Sequence, residues 1–557
     1  MLRFSIALLL VFIGCIPLHA QLLNTQTKFS KADSLRGELT PFRTCYDINY
    51  YHLDVAIDLE KRSVKGSNEF RFTATENFNK LQFDLFASLN IERVTFNGSE
   101  LPFYRSFNAV FITFPSEIKK GTKHSFTVYY SGNPSIAANP PWDGGFIFTK
   151  DKSGNPWASV ACQGYGASSW WPNKDHQSDE VDSMLISINV PGGFKEVSNG
   201  RLRSIVDKKD GTVEYNWFVS NPINNYNVTF YIGKYAHWTD SYKGENGDLS
   251  IDYWSLAEDS VQARGQWDKD VKRMLKSFEH WFGPYPFYKD GYKLVQAPHL
   301  GMEHQSAIAY GNKFRMGYLG RDYSGSASNW GLKFDYIVVH ESGHEWFGNN
   351  ITSKDIADMW IHEAFTSYSE VLFLESYYGK AAGTEYAISS RRNIGNSSPV
   401  IGKYGVNSEG SGDMYYKGVS IIHTIRAMIG NDEKFRALLR GLNKTFYHKT
   451  ITTKQLEDYI SSFTGLKLDK FFDQYLRKSS LPILEYSKNE SGVLRYRWVT
   501  DIEGFSMPLK AVFQAGIYST IYPGADWKSL KVDLKVLSEG LKIDPDFYIT
   551  VKEVSAK

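Results

Sequence analysis

A multidomain α+β architecture is predicted by three observations. The chain of 557 residues is too long for one hydrophobic core, so three or four domains are expected. Apolar and polar residues alternate with period two over about 39–240 and again from 481 to 557. Between them, over 241–480, apolar residues recur at helical spacing. The expected order is an N-terminal antiparallel β domain (39–240), a mainly helical domain (241–480) and a small C-terminal β-sandwich (481–557). Aromatic residues make up 15% of the chain, enough for large cores, and the net charge of +2 is close to balance. Neither favours nucleic acid or an anionic membrane surface as a partner.

Residues 1–20 carry Arg3, an apolar run from Phe4 to Leu18 and a cleavage point at Ala20 before Gln21. The run is too short for a comfortable membrane span and reads as a secretory signal rather than an anchor. Phe12-Ile13-Gly14-Cys15 loosely matches a lipoprotein box, but Phe12 and the apolar residues after Cys15 disfavour lipid anchoring. An exported, periplasmic or extracellular protein is expected, with no membrane span in the mature chain. Cys45 and Cys162 then remain, either as a disulfide or as two buried thiols. N-x-S/T sequons at Asn97, Asn227 and Asn350 matter only in a eukaryotic secretory route.

The β region is read from YYHLDVAIDLE, SNEFRFTAT, KLQFDLF and HSFTVYYSG, separated by turn residues such as Asn97-Gly98 and Gly132-Asn133. Residues 137–175 are irregular and rich in Gly, Pro and Trp. Trp142, Trp157, Trp170 and Trp171 fit a core cluster better than a sugar-stacking surface.

The helical region opens on a helix after about 261, with Val271, Met274, Leu275 and Phe278 on one face and a stop at Gly283-Pro284. KLVQAPHLGMEHQSAIAYG follows as strand, turn, strand. Residues 317–331 read as a polar loop that shapes the cleft. Then comes HESGHEWFGNNITSKDIADMWIHE, from His340 to Glu363. His340 and His344 are four apart, one helical turn above each other on the same face. They can share one metal ion. Glu341 is offset around the helix, free to act on a metal-bound water. Glu363 reaches the ion from a second helix, expected from about Asp355 to Tyr378 and stopped by Gly379. Asn349 to Ser353 is expected as a polar turn between the two. Two His and one Glu leave an open zinc position, the catalytic rather than the structural pattern.

HExxH-x18-E, with Trp346-Phe347-Gly348-Asn349 directly after the HExxH, resembles the gluzincin aminopeptidases, the family of aminopeptidase N and leukotriene hydrolase, in a short three-domain form. The resemblance implies one zinc ion per chain, a thermolysin-like catalytic domain, and removal of residues from peptides with a free N-terminus. It covers nearly all of the mature chain, including the Ser198-Asn199-Gly200 turn of the β domain. Gln163, in the run Cys162 to Ala167, matches a family loop residue that contacts the first substrate residue; the alternative is a Gln that caps loop backbone. Gly301, Met302 and Glu303 resemble the G-x-M-E-N motif, whose edge strand holds the substrate backbone and whose Glu pairs with the α-amine. Leu300 stands where the motif has its first Gly, and His304 replaces its Asn. His304 is read as a structural histidine donating to backbone. Tyr415, two before Lys417, matches the Y-x-K-G tyrosine that donates to the tetrahedral intermediate, with neighbouring Tyr416 as its competitor.

Helices after Tyr415, at about 453–460 and 469–476, complete the catalytic domain, and VLRYRWV, LKAVFQAGIYSTIY and LKVDLKV build the C-terminal sandwich. The resemblance assigns Glu341 as general base and Tyr415 as oxyanion donor. A thermolysin-type endopeptidase, an epoxide hydrolase of the leukotriene branch and a non-catalytic peptide-binding protein on this scaffold are the rival readings.

Overall fold

The computed structural model describes residues 28–514, 517–532 and 540–555. The leader expected at 1–20 and residues 533–536 of the last predicted strand lie outside the described residues.

Two short helices, α1 (Lys31–Gly37) and α2 (Pro41–Thr44), lead into an eight-stranded sheet. Its centre is Tyr46–Asp58, flanked by Ser63–Ala74 and Ser183–Pro191. The period-two pattern is realised directly: Tyr51, Leu53, Val55 and Ile57 all point into the core. A bulge between Ile48 and Tyr50 shifts the alternation. One pairing departs from the antiparallel expectation. Tyr46–Asp58 runs parallel to Ser183–Pro191, because the long intervening segment supplies the crossover a parallel pair needs. A three-stranded sheet (Phe78–Asp84, Ala109–Ile118, Phe103–Ser106) and a four-stranded sheet (Lys195–Ser198, Phe230–Gly233, Pro156–Ala161, Gly145–Lys150) complete the region. Phe70, Phe72, Phe83 and Phe126 interlock in the core, with Phe70 stacked on Phe126 at 4.4 Å. Each such ring contributes roughly 1.5–3 kcal/mol by leaving water.

Trp170 and Trp171 are fully buried, as core residues should be, whereas Trp142 and Trp157 line a cavity of about 590 Å³. Cys45 and Cys162 are buried free thiols, not a disulfide. Asn227 and Asn350 are buried and hydrogen-bonded, to Asn349 and Asn443, so the fold closes both sequons to glycosylation.

The central region is built on a five-stranded sheet, in the order Tyr235–Gly244, Gly247–Leu256, Tyr292–Gln296, Ile308–Tyr310, Gly301–Met302. The change of pattern read at 240/241 falls inside the first of these strands. Helix α3 (Ser260–Phe282) packs on this sheet. The two motif helices follow: α4 (Tyr336–Gly343) and α5 (Trp360–Tyr378), the latter ending at Gly379 as predicted. Residues Ile351–Ser353, expected as turn, form a short strand paired with Lys449–Ile451. Helices α6 (Lys380–Ser390), α7 (Asp413–Ile429), α8 (Asp432–Thr445), α9 (Thr453–Thr464) and α10 (Asp469–Arg477) surround α5. Two small sheets, one of four strands around Ile483–Lys488 and Val493–Val499 and one a two-stranded ribbon, form the C-terminal region and share a core with the helices. The architecture is the multidomain α+β fold expected.

Candidate metal centre and active site

Helix α4 starts where Asp335 caps it. The carboxylate accepts from the backbone N–H groups of Ile337 and Val338, at 3.2 and 3.5 Å, and from Tyr310 and Asn312 at 2.6 and 2.7 Å. The cap ties the helix to the central sheet, and one turn later the helix presents His340. His344 follows at its C-terminal end, and the two rings lie 5.1 Å apart. Glu363 sits in the first turn of α5. Its Oε2 is 3.7 Å from His340 Nε2 and 3.5 Å from His344 Nε2.

Those separations fit a metal. A tetrahedral ion with arms of about 2.05 Å needs donor atoms about 3.4 Å apart. All three donors lie within 4.8 Å of one another and are buried. His344 Nε2 and both carboxylate oxygens of Glu363 have no hydrogen-bond partner among the described residues. Buried polar atoms left this way are costly unless a further group satisfies them.

The surroundings fix the ligand orientation. His340 Nδ1 donates to Glu370 Oε1 at 2.7 Å, which turns Nε2 towards Glu363. Tyr386 in turn donates to the other oxygen of Glu370 at 2.6 Å. His344 Nδ1 is 3.1 Å from the Phe347 carbonyl and 3.2 Å from the Thr366 hydroxyl.

Glu341 lies against the edge strand. A Cβ on Gly301 would come within 2.6 Å of Glu341 Oε1 and 2.9 Å of Ile337 Cδ1, so a glycine is required at 301 for the carboxylate to sit there. Burial pushes the Glu341 carboxyl up to about 7; His340 opposes the shift and Glu363 adds to it. Met302 is buried beside Gly301, paired with Ala309 in the sheet.

Glu303 is fully buried at the end of that edge strand. Its Oε1 accepts from Gln163 Nε2 at 2.6 Å and from the Tyr226 hydroxyl at 3.0 Å, while Oε2 has no hydrogen-bond partner among the described residues. Burial, and then the charge of Glu341, drives the Glu303 carboxyl well above its ordinary value. Its carbonyl accepts from Asn349 Nδ2 at 2.8 Å, which ties the edge strand to the segment after the HExxH. Gln163 therefore reaches from the β region to the central site; it is not a backbone cap.

Tyr415 and Tyr416 part company at the start of α7. The Tyr415 ring stacks on His340 at 6.3 Å, and after burial the charges that raise its phenol most are Glu363 and Glu303. Tyr416 instead faces Glu370, Tyr323 and Arg392. His304 is buried with Nδ1 2.7 Å from the Tyr231 hydroxyl. That hydroxyl donates to the Ala307 carbonyl, so His304 donates to a phenol rather than to backbone.

Sequence reasoning missed Tyr226, Glu370, Thr366 and Asn349. Glu370 and Thr366 lie seven and three residues after Glu363, on the same face of α5, and that spacing was a usable signal. Tyr226 arrives from a 3₁₀ turn and carried none.

Residues 268–475 match the model of the Peptidase family M1 domain. A probable aminopeptidase of Saccharolobus solfataricus is 25% identical over 56% of this chain and 40% of its own length. A probable aminopeptidase of Sulfurisphaera tokodaii is 22% identical over 78% of this chain and 54% of its own. Leukotriene A-4 hydrolase of Xenopus laevis is 21% identical over 76% and 69%. The chain thus spans about half the length of these archaeal relatives. Among solved structures, a mutant M1 zinc metallopeptidase of Deinococcus radiodurans, bound to a Tyr-Ser-Ala substrate, superposes with a TM-score of 0.67. It is 19% identical, and the match covers 80% of this chain and 98% of that one. The family M1 domain match thus spans both motif helices, and the multidomain fold is shared with the solved M1 zinc metallopeptidase.

Proposed function

We propose that the chain is a zinc-dependent aminopeptidase that hydrolyses the first peptide bond of substrates with a free N-terminus. One observation carries the reading. Glu303, fully buried, sits close enough to Glu341 and His344 for their donor atoms to lie within 4.8 Å of one another. Carboxylates crowded in one dry pocket resist ionisation until cations join them. A metal at His340, His344 and Glu363 and a substrate ammonium at Glu303 meet that need together.

Zinc, when bound, supplies a Lewis acid that polarises the scissile carbonyl and lowers the pKa of a water. The chain's own residues do the rest. Glu303 holds the α-amine, oriented by Gln163 and Tyr226, and so places the first peptide bond beside the metal ligands. Glu341 accepts a proton from the attacking water and returns it to the leaving amine; its raised pKa suits both transfers. The Tyr415 phenol donates to the carbonyl oxygen as it gains negative charge. Gly301 and Met302 offer edge-strand backbone to the substrate.

The leader read at residues 1–20 supports export and a role in digesting peptides outside the cytoplasm, and following a tagged full-length chain through cell fractions tests it. The activity is tested with a panel of aminoacyl chromogenic substrates, each beside its N-acetylated twin, with and without a zinc chelator. Chelator-sensitive hydrolysis of the free amines alone is expected, and Glu341→Gln should abolish it while zinc is retained. Equal rates on the acetylated twins would replace the reading with an endopeptidase.

A further inference from the structure

We propose that Arg36, on the N-terminal helix α1, is a positioning residue for the amine-binding site. It holds the loop that carries Gln163. The inference rests on the aminopeptidase reading above.

Gln163 acts on Glu303 from a tight loop. The N–H of Tyr165 bonds to the Gln163 carbonyl, and the N–H of Gly166 to the Cys162 carbonyl, both at 2.7 Å. These bonds shape the loop but do not anchor it to anything else. The anchor comes from Arg36. Its Nη2 donates to the Gly164 carbonyl at 2.7 Å and to the Tyr165 carbonyl, the two residues directly after Gln163. A guanidinium is a rigid, always charged fork, suited to catching two adjacent carbonyls.

Arg36 is itself fixed on two sides. Towards the β region, Gln82 Nε2 donates to the Leu35 carbonyl at 2.9 Å and Arg43 Nη1 to the Arg36 carbonyl at 2.5 Å. Arg43 is in turn paired with buried Asp84 at 2.6 Å. Towards the central region, Gly37 lies so close to the backbone of Val406 and Asn407 that an added Cβ would come within 2.3 Å of the Asn407 nitrogen. Asn407 Nδ2 also donates, at 3.2 Å, to the Gly164 carbonyl that Arg36 holds. One carbonyl, one residue from Gln163, thus joins α1, the β region and the loop before Tyr415. A displacement of the loop by about 1 Å would take Gln163 out of reach of Glu303, and misplacements of that size are known to cost up to about a hundredfold.

The test compares wild type, Arg36→Ala and Arg36→Lys as full-length proteins by two independent measurements. In hydrogen exchange, peptides covering 160–171 should lose protection in Arg36→Ala, while peptides covering 340–363 keep theirs. In kinetics, Arg36→Ala should raise KM for free aminoacyl substrates about tenfold with a smaller change in kcat. Arg36→Lys, which keeps the charge and one donor, should recover part of both effects, and zinc content should be equal in all three. Unchanged exchange at 160–171 overturns the proposal. So does increased exchange with unchanged KM, or a parallel loss of protection across both regions, which marks a merely structural residue. Absence of chelator-sensitive activity in the wild type instead refutes the aminopeptidase reading, and with it the amine-site role; the exchange comparison then still decides whether Arg36 holds the loop.

Discussion

Gln163 and Glu303 meet across the boundary between the β region and the central region, with Nε2 donating to Oε1 at 2.6 Å. The hydrogen bond uses one carboxylate oxygen, and Oε2 has no hydrogen-bond partner among the described residues. That oxygen is where a cationic group gains most, because a charge-assisted contact in a buried site is worth about 1.5–3 kcal/mol. Glu303→Gln keeps the shape and removes the charge. Its kcat/KM for free aminoacyl substrates should fall roughly ten- to a hundredfold, and its discrimination against the N-acetylated twins should shrink by a similar factor. Steady-state rates on matched substrate pairs check both.

Glu370 orients His340 through Nδ1 at 2.7 Å and is itself held by Tyr386. Losing such an outer partner lowers metal affinity by about ten- to a hundredfold. Glu370→Gln should therefore lose its zinc to a competing chelator at concentrations that leave the wild type loaded. Excess zinc should restore most of its activity. Failure of added zinc to restore activity would assign Glu370 a different role.

The two tyrosines at the start of α7 separate cleanly. Tyr415 stacks on His340, whereas the charged neighbours of Tyr416 are Glu370 and Arg392. Removing one oxyanion donor costs about a hundred- to a thousandfold in kcat. Tyr415→Phe should show that loss with little change in KM. Tyr416→Phe should stay within a few-fold of wild type. The reverse ranking would move the donor role to Tyr416.

What the sequence disclosed, and what it hid, follows from the range of the contacts. His340 and His344 are one turn apart, so local periodicity puts them together, and Glu363 joins them from the next helix, packed directly against the first. The motif helices and their Gly379 stop are local for the same reason. Ile351–Ser353 became a strand only because Lys449–Ile451 lies beside it, nearly a hundred residues later. The parallel pairing of Tyr46–Asp58 with Ser183–Pro191 is equally non-local. Gln163 was found through resemblance and not through physics, since nothing in a Gly-rich loop says which element it will touch. Tyr226 acts through a long-range contact to Glu303, and Arg36 through long-range contacts to Gly164 and Tyr165, and no spacing rule encodes those.

His299 and His304 bracket the edge strand Gly301–Met302, with ring centres 6.3 Å apart, and both are buried. Burial pushes His299 from its ordinary 6.5 down to about 4, with only the Gly301 backbone opposing, and it drives His304 down as well. Both are therefore neutral in the fold. Between pH 6.5 and 4 the unfolded chain binds protons that the folded chain refuses, so stability rises with pH across that window. The contribution is complete above about 6.5 and is lost as pH falls towards 4. For His299 the loss amounts to about 3 kcal/mol at most, at 1.36 kcal/mol per pKa unit. His299→Phe removes the titration at a buried site of similar shape. Its melting temperature should fall less than that of the wild type between pH 7 and 4.5, when both are measured with excess zinc so that ligand protonation affects them equally. Parallel melting curves in the two proteins would show that His299 is not the source of acid sensitivity at this edge strand.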